Sequence, residues 1–167
     1  MADPIKLPPE IPQQIGRLAI GVSLLEATLH AAFAVMMGDD GTKTEIILSR
    51  IDSIQFKMDI VFSLADATTP TTPLSSAIVA VKDQISAAVQ FRNSVSHAQF
   101  LLDDDGNTFI LRNAFRLKSA TKEEPFKAEQ AKVHADALQA CIQTIARTLE
   151  GKVLTIPKVA KMAPKRA

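Results

Sequence analysis

Apolar residues recur along this chain at helical spacing in four long stretches, separated by short polar or proline-rich segments. In the first stretch Ile15, Leu18, Val22, Leu25, Leu29, Phe33 and Met36 step by three and four, which marks one face of a helix over residues 13–37. Its other positions include Gly16, Ala19, Gly21, Ala27, Ala31 and Ala34. A helix with so little polar surface belongs at the centre of a bundle or in a homodimer interface. Gly38-Asp39-Asp40-Gly41 ends it. Thr42 and Glu45 then have the spacing of a capping box. Ile47, Ile51, Ile54, Met58, Val61 and Ala65 predict a second helix over residues 43–67. After a Thr- and Pro-rich turn, Thr72 is the natural cap and Pro73 the first residue of a third helix, residues 73–97. Leu74, Ile78, Val81, Ile85 and Val89 form its inward face. A fourth helix is predicted over residues 126–150, with Val133, Ala137, Ala140, Cys141, Ile145 and Leu149 inward and Gly151 as its stop.

Between the third and fourth helices the pattern changes. Two apolar runs, 98–102 and 108–115, flank Asp103-Asp104-Asp105-Gly106-Asn107. An Asp-Gly pair between such runs predicts a β-hairpin. The acids do not form a calcium loop, because Leu101 stands where that loop needs an oxygen ligand. The expected fold class is therefore all-α: an antiparallel four-helix bundle with a short β-hairpin between helices 3 and 4. The organisation read from the chain is a Pro-rich arm (1–12), a helical domain (13–150) and a basic tail (151–167). The tail carries Lys152, Lys158, Lys161, Lys165 and Arg166 with no acid, and reads as a solvated segment.

Composition narrows the function classes. With 167 residues and 47% hydrophobic content the chain is long and apolar enough for one well-packed domain. Lys plus Arg is 19 and Asp plus Glu is 18, so nucleic acid is not held by the surface as a whole. Cys141 is the single cysteine, in an apolar helical pattern, which suits a reducing cytoplasm and a packing role. The first residues have no signal-peptide architecture. The first helix is about long enough to span a bilayer, yet Arg17, Glu26 and His30 interrupt it. A cytoplasmic protein without a membrane span is expected.

The usual catalytic signatures are missing. There is no Gly-rich phosphate loop, no His-Glu-x-x-His pair and no Gly-x-Ser-x-Gly elbow. No helix face gathers His, Asp and Glu at metal-ligand spacing, so neither a metal nor another cofactor is expected. Of the three histidines, His30 reads as a core or interface residue and His134 as a packing or surface residue. His97 stands apart because Arg92 and Asn93 precede it, near the end of the third helix. Asn93 and His97 are four apart and lie nearly one above the other. Arg92 and His97 are five apart, about 140° round a regular helix, which does not put them side by side; the length of the Arg side chain, an unwound helix end or a second copy could bring the two together. Histidine moves protons near neutral pH, and arginine holds phosphate with a planar fork of donors. Together they suit metal-free cleavage of RNA, with His97 moving the proton of the 2′-hydroxyl or of the leaving oxygen and Arg92 steadying the pentacoordinate phosphate. The alternative is structural: both cations favour a helix C-terminus, where they meet the last carbonyls. Phe91 and Phe100 flank the motif and read as core.

Arg92-Asn93-Ser94-Val95-Ser96-His97 resembles the signature of the HEPN superfamily, an Arg, a polar residue, a short spacer and a His at the end of a bundle helix. Gly16-Arg17-Leu18 and Leu24-Leu25-Glu26 are also similar to small bacterial proteins of this type. The resemblance covers roughly residues 13–150. It implies a metal-independent endoribonuclease acting on RNA, as a homodimer through the first helix and the motif face, with both motifs at a shared cleft. It implies that Arg92 and His97 are catalytic and Asn93 supporting. Members serve as toxins with an antitoxin or other protein partner, as phage-defence effectors or in RNA processing; others have lost catalysis and act as binding modules. Arg112-Asn113 repeats the first half of the motif, but no His follows at the matching distance.

Overall fold

The first apolar stretch does form one long helix, α1 (Glu10–Met37). The computed structural model describes residues 7–39, 41–68, 72–112 and 122–150. The helix begins inside the expected Pro-rich arm: Pro9 is its N-cap residue, and Pro12 sits in the first turn, where a missing N–H breaks no helical bond. At the other end Gly38, at φ 62°, takes the left-handed conformation and its N–H turns back to the carbonyls of Ala34 and Val35.

The expected second helix is two helices. α2 spans Thr42–Leu48 and α3 spans Ile54–Thr68. Thr44 and Leu48 are the buried side chains of α2, while Met58, Val61, Phe62 and Ala65 are buried on α3. An unbroken helix would turn about 1000° from Leu48 to Met58, leaving the two faces about 80° out of phase. The break at 49–53 lets both faces point inward. Thr42 is not the cap either. Gly41, at φ 99°, precedes α2, and the Asp39 carboxylate instead accepts the N–H of Thr44 at 2.7 Å.

α4 (Pro73–Ser96) forms where its periodicity placed it. The Thr72 hydroxyl accepts the Ser75 N–H, and Pro73 opens the first turn. α5 (Ala128–Leu149) follows a small sheet. Its inward face is Ala131, Ala135, Leu138, Cys141 and Ile145, not the Val133–Ala137–Ala140 stripe; Val133 is 57% exposed. The two stripes start about 200° apart and converge at Cys141. Leu138 decides between them, because it fills the notch at Gly21 on α1, where an added Cβ would stand 3.1 Å from its Cδ2.

These contacts also fix the helix directions. Arg17 pairs with Asp136, Gly21 faces Leu138, and Ala31 shares a groove with Leu149, so α1 and α5 run parallel. Phe91 packs on His134 and Gln84 meets Cys141, so α4 runs against α5. Glu26 pairs with Lys57 near the start of α3, while Met36 and Thr68 both meet Ser75, so α3 follows α1. α1, α3 and α5 point one way and α4 the other. The alternating antiparallel four-helix bundle is thereby corrected: the described residues form five helices, and the break after α2 reverses the chain once more than expected.

The main core joins all five helices, with Leu18, Leu25, Leu29, Met58, Ile85 and Leu138 fully buried. By length and composition α1 is the one described helix able to cross a membrane. Here it is the central helix of the core, and its midpoint carboxylate, Glu26, is paired with Lys57.

β1 (Gln99–Leu102) and β2 (Thr108–Arg112) form the expected hairpin, with Leu102 opposite Thr108. Asp103 ties the turn: its Oδ1 accepts the N–H groups of Asp105 and Asn107, and Gly106 takes φ 81°. A third strand, β3 (Lys122–Pro125), was not expected; it pairs antiparallel with β2, making a three-stranded sheet. A second, smaller core of Ile11, Val95, Ile110, Phe126 and Ala131 fastens this sheet to the helices. Gly151, the basic tail and residues 1–6 lie outside the described residues.

Candidate active site at the end of α4

Relative helix lengths leave the motif uncovered by α3. α4 has 24 residues and α3 has 15. Their facing ends are tied by the Thr68 and Ser75 hydroxyls, 2.6 Å apart. At equal rise, α3 then begins level with about residue 89 of α4. The last turns of α4, carrying Arg92, Asn93 and His97, run on beyond it. Val95 turns inward to the smaller core, Arg92 and Asn93 are half-buried, and His97 is exposed.

Within the motif, Arg92 Nη1 donates to Asn93 Oδ1 at 2.9 Å. That bond occupies one of the five guanidinium N–H donors and leaves the others available for an anion. Asn93 therefore holds the guanidinium rather than the imidazole. His97 is the C-cap residue, at φ −111° and ψ 9°. Among the described residues its side chain bonds neither to Arg92 or Asn93 nor to the last carbonyls of α4. The helix stays regular through Ser96. No unwinding brings Arg92 beside His97, and within one chain the two remain about 140° apart round the axis.

Phe91 is packing, as expected. Its ring stacks on His134 of α5 at 4.2 Å between centroids and lies 6.4 Å from Phe126. Phe100 meets Phe126 edge-on at 5.4 Å. Burial in this stack lowers the pKa of His134 below the ordinary 6.5. The sequence did not reveal that His134 packs next to the motif, because nothing in either helix pattern specifies which residues meet across α4 and α5.

The other two singled-out residues lie elsewhere. Cys141 is buried, its Sγ 3.2 Å from Gln84 Oε1, and burial raises its pKa. His30 is partly buried between α1 and α2, with Nδ1 3.8 Å from a Glu45 carboxylate oxygen. Arg112 closes β2 opposite Lys122, and Asn113 lies outside the described residues.

Arg17, Ile20, Gly21 and Leu24 on α1, with Ala135 and Ile142 on α5, line a shallow groove of about 360 Å³. Ile20 is 64% exposed and Leu24 57% exposed. No family model matches the chain, and neither a curated protein nor a solved structure matches it significantly.

Proposed function

We propose that the C-terminal end of α4 is the catalytic edge of a metal-independent endoribonuclease of HEPN type. The observation that supports it best is that one helix end carries both an exposed imidazole, His97, and a guanidinium that Asn93 holds but does not saturate. In this reading Arg92 grips the scissile phosphate of single-stranded RNA. His97 takes the proton of the ribose 2′-hydroxyl as that oxygen attacks phosphorus. The P–O5′ bond breaks, and the departing 5′ oxygen takes up a proton. The products are a 2′,3′-cyclic phosphate and a 5′-hydroxyl. Because Arg92 and His97 diverge round α4, a homodimer is part of the proposal: a second copy supplies the missing partner across a shared cleft. A cytoplasmic toxin or phage-defence effector, held by an antitoxin, fits this chemistry.

The second reading is a non-catalytic module that binds a partner or its own copy. The exposed Ile20 and Leu24 along the α1–α5 groove favour it. Cleavage of mixed single-stranded RNA in EDTA, wild type against His97→Ala, separates the two. Cutting by the wild type alone, with cyclic-phosphate ends, supports the ribonuclease. No cutting by either folded protein favours the module.

A further inference from the structure

The groove between α1 and α5 does not stop at Leu24. That residue and Ile142 also line a second stretch of about 440 Å³, with Ala27, Ala31 and Ala146, that runs on to Glu150. Small side chains keep this stretch open, and Ile20 and Leu24 stand exposed along the seam. An apolar strip of this kind marks a surface that something covers. A carboxylate stands at each end: Glu150, where the chain leaves α5, and Asp136, whose Oδ1 accepts a bond from Arg17 at 2.7 Å.

The chain itself supplies an occupant of the right length. Glu150 leaves α5 at φ −58° and ψ 131°, an extended conformation and not a further helical turn. The residues after it read Gly151-Lys152-Val153-Leu154-Thr155-Ile156-Pro157-Lys158. Val153, Thr155 and Ile156 are β-branched and favour extended chain, and Pro157 disfavours helix at Ile156. In extended chain Lys152, Leu154, Ile156 and Lys158 share one side, two apolar residues bracketed by two cations. With Gly151 making the reversal, the next seven residues reach about 23 Å, and α5 rises about 21 Å from Ala135 to Leu149. Each extended residue passes about 2.2 helical ones, so Leu154 lands between the levels of Ala146 and Ile142, Ile156 between those of Ile142 and Leu138, and Lys158 at that of Asp136.

Seating Leu154 and Ile156 against Leu24 and Ile142 removes apolar surface from water on both sides. Asp136 is half exposed, and among the described residues its Oδ1 alone is engaged. A second cation there gains a screened attraction, which sets register more than it adds affinity. We propose that residues 152–158 fold back over the α1–α5 groove of their own chain, extended and antiparallel to α5, with Leu154 and Ile156 in the groove and Lys158 at Asp136. The segment is then a displaceable cover, and any partner of this groove must compete with it. This does not depend on the ribonuclease reading.

Methyl NMR of the full chain, labelled at Ile, Leu and Val, tests it. The expected result is nuclear Overhauser peaks from the Leu154 and Ile156 methyls to those of Leu24 and Ile142. Leu154→Asp combined with Ile156→Asp should abolish them and shift the Ile20 and Leu24 signals. In an equal mixture of labelled and unlabelled chains, the peaks should arise within one chain. The proposal is overturned if no such peaks are seen, if they run between chains, if the groove methyls meet α1 of another copy instead, or if the double variant leaves the Ile20 and Leu24 signals where they were.

Discussion

Gly21 and Leu138 meet where α1 packs on α5, and their coupling can be worked out before measurement. Leu138 is fully buried. Truncating it to Ala removes apolar contact and leaves a cavity, costing about 2–5 kcal/mol. Gly21→Ala has two opposed effects. It gains about 1 kcal/mol because Gly is a poor helix former. It also sets a methyl 3.1 Å from Leu138 Cδ2, tighter than ordinary packing allows. Overpacking of this kind costs about 1–3 kcal/mol. Alone, Gly21→Ala is therefore neutral to destabilising by about 2 kcal/mol. With Leu138 already truncated the clash disappears, and the new methyl enters the vacated space. The double variant should be more stable than Leu138→Ala by about 1 kcal/mol or more, a coupling of about 1–3 kcal/mol between the sites. Urea unfolding of the four proteins at constant m-value measures it. Additivity within about 0.5 kcal/mol would refute the contact, and with it the inward face assigned to α5.

Glu26→Gln should destabilise the fold by about 3 kcal/mol, because it leaves Lys57 buried without its counter-charge, whereas Lys57→Met should cost far less; thermal or urea unfolding compares them. Stability should fall as the pH drops below about 6.5, since His30 and His134 both have lowered pKa values and the folded chain binds fewer protons than the unfolded one there. The contribution is complete above the ordinary value and is lost towards the lowered ones; His134→Phe should flatten part of that slope in denaturation measured across pH. Arg92→Lys should abolish most RNA cleavage although the charge remains, because Lys lacks the planar fork, and a lysine variant as active as wild type would remove Arg92 from the proposed mechanism.

What could be read from the sequence follows where local signals and burial agree. α4 was legible because Thr72, Pro73 and the run from Leu74 to Val89 all favour the same element. The hairpin was legible because Asp103 and Gly106 specify its turn. The break between α2 and α3 was hidden: Ile47, Ile51 and Ile54 carry the helical period straight through it. Ile47 proves 43% exposed, so its periodicity reflected no buried face. β3 was hidden for the opposite reason. Lys122-Glu123-Glu124-Pro125 shows no apolar alternation, and it is a strand because it lies at the sheet edge, where proline is tolerated. For the candidate site, the residues and their place at a helix end were legible. The bond from Arg92 to Asn93, rather than from Asn93 to His97, was not, because helix spacing brings residues close without choosing which of them bond. The stack of Phe91 on His134 depends on how α4 and α5 are aligned, which a single sequence does not encode locally.

The last turn of α4 rests on the smaller core, not the main one. Five buried side chains, Ile11, Val95, Ile110, Phe126 and Ala131, seat it among the start of α1, the sheet and the approach to α5. A unit with so few buried contacts opens at lower free energy than the middle of α4. Whatever binds at Arg92 and His97 therefore meets a surface with a local melting equilibrium of its own. The fraction of time for which that surface exists is a quantity separate from global stability, and contacts that tighten or loosen the sheet against α1 tune it without touching a motif residue.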